Sequence, residues 1–216
     1  MTSASLAAFL AASLVLALTP GPGVLYIVSR AVQDGRRAGL ASVAGVACGN
    51  LCNALGASIG LAAVFAVSAL AFTLVKYLGA AYLIFLGLRT WYLAMHSATG
   101  SASQGVSRPT RSRHAWRDGL FVALLNPKTT IFFAAFLPQF LDPTASSWTQ
   151  CVELGAAFVA IAAITDSAYA LLASALIRFL ARSPAAGRAG RWLSGGTLIG
   201  LGIFTAASGA RNLASA

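Results

Sequence analysis

The sequence predicts an all-α integral membrane protein. It predicts six transmembrane helices in two inverted three-helix repeats, with helices one and four broken at proline. Three observations predict this. Of 216 residues, 58% are hydrophobic and 9% charged, where a soluble domain carries about 25% charged residues. Apolar runs recur at the length a helix needs to cross a bilayer core, about 20 residues. Two of these runs are interrupted, at Leu18-Thr19-Pro20-Gly21-Pro22-Gly23 and at Leu125-Asn126-Pro127-Lys128.

The first span covers 5–28 and holds the first interruption. Proline removes a backbone donor and clashes with the carbonyl four residues back. Two prolines and two glycines in succession therefore end or sharply distort the helix. Lipid offers no partner for the freed backbone groups, so such a break survives only beside protein or a water-filled cavity. The break marks a cavity; an ordinary proline kink is the alternative. A short basic loop follows, with Arg30, Arg36 and Arg37. The second span, 41–66, is rich in small residues. Gly45, Gly49, Gly56 and Gly60 suit close helix approach. An uncharged turn near 67–73 leads to the third span, 74–95. Residues 96–117 are a Ser, Gly and Arg-rich linker that separates a first repeat, 1–95, from a second, 118–216. The fourth span is 118–140, broken at Asn126-Pro127-Lys128. The fifth, 151–177, contains Asp166. A basic loop at 178–191 precedes the sixth span, 192–212.

The formal net charge is +10, from 15 basic and 5 acidic residues. Loops after spans one, three and five carry three, four and four arginines, and those after spans two and four carry none. Short basic loops stay cytoplasmic. Both termini are then external, and membrane orientation accounts for the charge. No aromatic-rich basic groove or other nucleic-acid motif is present, so nucleic acid is not an expected partner. Cys48, Cys52 and Cys151 form no CxxC pair and read as packing residues. His96 and His114 lie in or beside a basic loop, away from other ligand types, so no metal site or cofactor is expected. The N-terminus lacks the basic residues of a cleavable signal peptide, and its apolar run continues past Pro20. The first span is therefore expected to remain as a helix.

Three spans per half require the halves to be inverted. Val15 to Pro20 can be laid on Val122 to Pro127, and Tyr77 to Gly87 on Trp192 to Gly202. With nearly the same offset as the second match, Asn50 falls on Asp166 and Ser58 on Ser174. Corresponding Pro or Gly interruptions in two halves point to a transport site at the midplane. Lys128 and Asp166 lie near the middle of spans four and five. A charge at that depth costs on the order of 3 kcal/mol and normally has a partner or water. The two charges form either a structural ion pair or a site for substrate and coupling ion; Asn50 adds a neutral donor and acceptor. Lys76 and Arg89 lie near span ends and are expected to snorkel. Asp118, Asp142 and Glu153 lie near interfaces and need no special role. Tyr26 and Tyr82 read as packing, and Tyr169, close to Asp166, is a candidate ligand.

These motifs, in this order, resemble the lysine exporter superfamily, nearest its homoserine and threonine exporters. Thr19-Pro20-Gly21-Pro22, Gly79-Ala80-Ala81-Tyr82, Asn126-Pro127-Lys128 and Phe136 to Phe140 carry the resemblance, which covers nearly the whole chain. It implies a small inner-membrane exporter of amino acids or related metabolites, driven by the proton gradient, and not an enzyme. Where relatives often carry an aspartate this chain has Asn50, which leaves coupling to Asp166.

The expected site comprises Thr19, Pro20, Gly21, Pro22, Asn50, Asn126, Pro127, Lys128, Asp166 and Tyr169. Lys128 would hold a substrate carboxylate, and Asp166 would take the ammonium or a proton. The expected partners are an amino acid, protons and the bilayer. Small-residue faces permit a homodimer. The alternatives are a thiol–disulfide electron carrier, which needs a reactive cysteine in each half, and a helical scaffold, which needs no charge at the midplane.

Overall fold

The computed structural model describes residues 3–58, 69–96, 109–142, 145–180 and 184–207, and among them every regular element is helical. The first predicted span is two helices, α1 (Ser3–Leu18) and α2 (Pro22–Asp34), bent by 47° at the break. Pro22 opens α2 at the position where a missing N–H is tolerated. The basic loop predicted next is a corner of one residue. Gly35 adopts φ +84, a conformation glycine enters without steric cost, and α3 (Arg36–Ser58) begins at once.

The chain continues as α4 (Ala69–His96), α5 (Pro109–Leu124) and α6 (Pro127–Ile131). A π-helical stretch (Phe132–Phe136) and a 3₁₀ turn (Leu137–Phe140) follow, then α7 (Ser147–Leu180) and α8 (Pro184–Ala207). The fourth span is thus interrupted at Leu125 and Asn126 and stays irregular to Phe140. The C-terminal part of the predicted linker is helical from Pro109, because proline is accommodated in a first helical turn. The rest of that linker, 97–108, lies outside the described residues. So do the end of the second span, 59–66, and the end of the sixth, 208–212.

By length and apolarity, Arg36–Ala57 and Trp148–Ile177 suffice to cross a bilayer, and Ser5–Leu18 with Pro22–Asp34 qualify together as one bent span. Trp192–Ala207 is apolar but shorter. Two or three spans therefore meet that criterion among the described residues, where six were expected. Large apolar side chains such as Leu70, Leu78, Ile164, Leu172, Leu193 and Phe204 stand on the outside, a surface suited to lipid rather than water.

The helices meet through small residues, which let backbones approach where lipid removes the hydrophobic drive between helices. A methyl on Gly45 would lie 1.9 Å from the Trp116 carbonyl oxygen, and one on Gly49 would lie 2.6 Å from Ala123 Cβ, so α3 and α5 touch backbone to backbone. Asn53 Nδ2 donates to Ala123 O across the same contact at 2.9 Å. α4 meets α8 likewise at Gly87 and Gly195, and Trp91 Nε1 donates to Trp192 O at 3.0 Å. Gly45→Ala is expected to lower thermal stability in detergent by about 1–3 kcal/mol, through overpacking. A methyl on Gly200 would meet nothing within 4 Å, so Gly200→Ala should stay within about 0.5 kcal/mol of wild type. Equal melting of the two variants would show that the α3–α5 contact tolerates expansion.

Two buried clusters result. One centres on Tyr26, Ile27, Val46, Leu83 and Val122, and the other on Phe9, Phe132, Phe133, Leu154 and Phe158.

Candidate functional site

A cavity of about 40 Å³ lies where these clusters adjoin. Val46 of the first cluster lines it, with Ala17, Phe158 and Ala162 of the second. Both chain breaks reach it: Leu16, Gly21, Gly23 and Val24 from the first, and Asn126, Lys128 and Thr129 from the second. Asn50 on α3 and Asp166 on α7 complete the lining. Five of the expected site residues, Gly21, Asn50, Asn126, Lys128 and Asp166, are therefore brought together.

A helix end leaves its last four carbonyls without helical partners. At the end of α1 three of these carbonyls, and that of Thr19 just beyond, have partners. Val15 O accepts from Thr19 N at 3.1 Å and from Thr19 Oγ1 at 2.7 Å. Leu16 O accepts from Lys128 Nζ at 2.8 Å, and Thr19 O accepts from the same ammonium. Leu18 O accepts from the Tyr169 hydroxyl at 3.0 Å. A cation at a helix C-terminus is also favoured by the macrodipole. Lys128 has three N–H donors, and two of them serve α1.

The start of α6 is capped from within. Asn126 Oδ1 accepts from Lys128 N at 3.1 Å, and the Thr129 and Thr130 hydroxyls donate to Asn126 O. This is the ordinary use of asparagine at an N-cap. The start of α2 is different: Gly21 is its N-cap, and it has no side-chain cap.

Asn50 is 3% exposed, and its Oδ1 has no hydrogen-bond partner among the described residues. A buried acceptor left unpaired costs about 1–3 kcal/mol. Asp166 is 6% exposed. Lys128 and Asp166 line one cavity without closing into an ion pair among the described residues.

The other expected residues stand apart from this lining. Pro20 is exposed, while Pro22 and Pro127 start helices. Tyr169 is bonded to the α1 end. Thr19 lines a second, open and largely apolar groove of about 510 Å³ with Val15, Ile131, Phe132 and Phe136, and Lys128 borders both spaces.

One polar centre was not foreseen. Asp118, expected to need no role, is 1% exposed and holds three helices together. Arg30 Nη2 of α2 lies 2.9 Å from its carboxylate and Arg89 Nη1 of α4 lies 3.4 Å away. The Tyr82 hydroxyl donates to it at 3.2 Å. Arg30 also pairs with Asp34 at 3.1 Å and donates to the Tyr26 hydroxyl, which donates in turn to Ala115 O. Arg89 is thus a network member rather than a snorkelling end, while the Tyr82 ring packs against Phe85 and Phe121 as expected and its hydroxyl joins the network. The Arg30–Asp34 spacing of four was a visible signal; the contact from Arg30 to Asp118, 88 residues away, had none.

Comparison with known proteins finds membrane-protein relatives. The chain is 36% identical to an uncharacterized membrane protein of Vibrio cholerae over 199 residues, 92% of this chain and 95% of that one. It is 33% identical to a homoserine/homoserine lactone efflux protein of Salmonella typhimurium, over 80% of this chain and 82% of that one. The uncharacterized membrane protein YrhP of Bacillus subtilis is 30% identical over 74% of this chain and 79% of its own length. No solved structure matches. The model of the LysE type translocators matches residues 14–209, and with these relatives it shows that this multi-pass membrane protein belongs to the LysE type translocator family.

Proposed function

We propose that this protein is a secondary transporter of the bacterial cytoplasmic membrane that exports small amino acids or close derivatives in exchange for protons. The observation that carries the reading is the meeting of two broken helices at one cavity that also holds the buried Asn50 and Asp166. Broken helices with unpaired ends at mid-depth are how transporters bind charged substrates in lipid. Homoserine and its lactone are the first substrates to try, because an efflux relative is named for them.

The mechanism is alternating access between two inverted repeats, 1–95 and 118–216. The glycine contacts support the symmetry. Under the alignment of Tyr77 with Trp192, Gly87 corresponds to Gly202 and Ala80 to Gly195. A methyl on Gly87 would lie 2.8 Å from Gly195 O, and one on Gly202 would lie 2.7 Å from Ala80 O. The two contacts exchange under the same operation, as an isologous pairing requires. Asn50 and Asp166, matched at an offset one residue longer, share the cavity.

A cavity of about 40 Å³ holds only a few waters. An amino acid needs more room than this arrangement gives, and alternating access supplies it when the halves move apart. One carboxylate that takes either a proton or an ammonium links the two flows, because each ligand excludes the other.

Two measurements test the proposal. Reporter fusions at residues 34, 105 and 185 should read cytoplasmic and those at 70 and 145 external; an external reading at 105 would overturn the inverted repeat. Purified protein in proteoliposomes with an imposed pH gradient should move members of a labelled amino-acid pool that includes homoserine. If no member moves, the transport reading is wrong.

A further inference from the structure

The helix ends at the cavity are chemically unequal, and the difference assigns roles within the site. The C-terminus of α1 is occupied by Lys128, whose ammonium lies on the Leu16 and Thr19 carbonyls. The start of α6 is occupied by its own Asn126. The start of α2, a helix of 13 residues, has no side-chain cap among the described residues. Its first residue, Pro22, has no N–H, so the first donors are those of Gly23 and Val24. An N-cap side chain normally satisfies these two positions. Gly21, Gly23 and Val24 all line the cavity. The two glycines have no side chain, so they present backbone to it. Asn50 Oδ1, buried and unpartnered, lines the same space beside Asp166. The lining thus brings the uncapped start of α2 together with side-chain acceptors from α3 and α7, a pairing complementary to a zwitterion.

Building on the amino-acid reading above, we infer that the substrate's carboxylate docks on the Gly23 and Val24 N–H groups. Asn50 Oδ1 and Asp166 receive its ammonium. Lys128 is a positioning residue that holds the end of α1, not the carboxylate ligand. Glycine at 21 has two reasons under this assignment. It leaves the α2 donors uncapped, and it makes room for the lysine, since a methyl there would lie 3.1 Å from Lys128 Cδ.

The test contrasts a cap with a bare methyl. Gly21→Asn would copy the self-capped Asn126-Pro127 start of α6, and Gly21→Ala adds the same Cβ without the cap. Binding to purified protein is measured with the labelled amino acid that wild type moves fastest from the pool. Its competitors are the unlabelled amino acid, the decarboxylated amine and the deaminated acid. Gel filtration reports folding, and Gly21→Ser serves as a smaller cap if Gly21→Asn does not fold. Wild type, Gly21→Ala and Lys128→Met are each expected to prefer the amino acid over its amine by about tenfold or more, since a site built to hydrogen-bond a group rejects the analogue lacking it. Lys128→Met should weaken binding of both together. The capped variant should bring them within about twofold of each other. Retained preference in the capped variant would overturn the α2 assignment. Lost preference in Lys128→Met would return the carboxylate to the lysine. A wild-type protein that moves no amino acid of the pool would overturn the transport reading, and this inference with it.

Discussion

Asp166→Asn is expected to insert and fold, and to lose transport driven by a pH gradient by roughly tenfold or more. Asn keeps the size and hydrogen-bonding ability of the side chain, so the packing of α7 around the cavity survives. What it removes is the one group in the cavity lining that can carry either a proton or the counter-charge to an ammonium. A ligand shifts a two-state equilibrium only by its differential affinity for the two states. Without a titrating carboxylate, the proton gradient has no such difference to act on at this site. Because Asp166 makes no ion pair with Lys128 among the described residues, its neutralisation does not strand a bonded partner. Uptake into proteoliposomes after a pH jump, measured beside protein level, decides the matter. A variant present at normal level that still responds to the jump would show that coupling lies elsewhere. A variant absent from the membrane, restored by adding Lys128→Met, would show that the two charges stabilise one another structurally.

Asp118→Asn is expected to give the largest loss of stability in the protein, about 3 kcal/mol or more, because it strands a cation that is itself largely buried. The Arg30 side chain is 15% exposed and has Asp34 and Tyr26 as its remaining partners. Arg89, at 37% exposure, reaches solvent and loses less. The variant keeps the volume and a hydrogen-bonding oxygen for Tyr82, so the deficit reads the charge and not a cavity. Melting in detergent measures it. The control is a cycle with Arg30→Met: coupled residues give a double variant less damaged than the sum of the singles. Additive losses would mean that Asp118 stabilises through Arg89 and Tyr82 instead.

Part of this protein was legible in its residues alone. The all-helical class follows from composition, because only helices and closed barrels satisfy every backbone group in lipid. The first break follows from Pro20 to Gly23, because proline and glycine act on the chain within one turn of themselves. The close contacts of Gly45 and Gly49 were likewise visible as spacing, since four residues return a helix to the same face. Even where boundaries differed, at Gly35 and at Pro109, the reasons are local: a positive φ, and a proline at a helix start.

Partner choice was decided only by the tertiary structure. Lys128 and Asp166 sit at similar predicted depth with opposite charge, and nothing in their order along the chain says that the lysine takes the α1 carbonyls instead. Those carbonyls are acceptors only because the helix stops at Leu18, and only the bend of 47° fixes where they point. Asp118 and Arg30 are far apart in sequence and meet because α2 and α5 pack together. Composition and spacing determine which groups lack partners; distance and direction determine which partner each receives, and those exist only once the helices are packed.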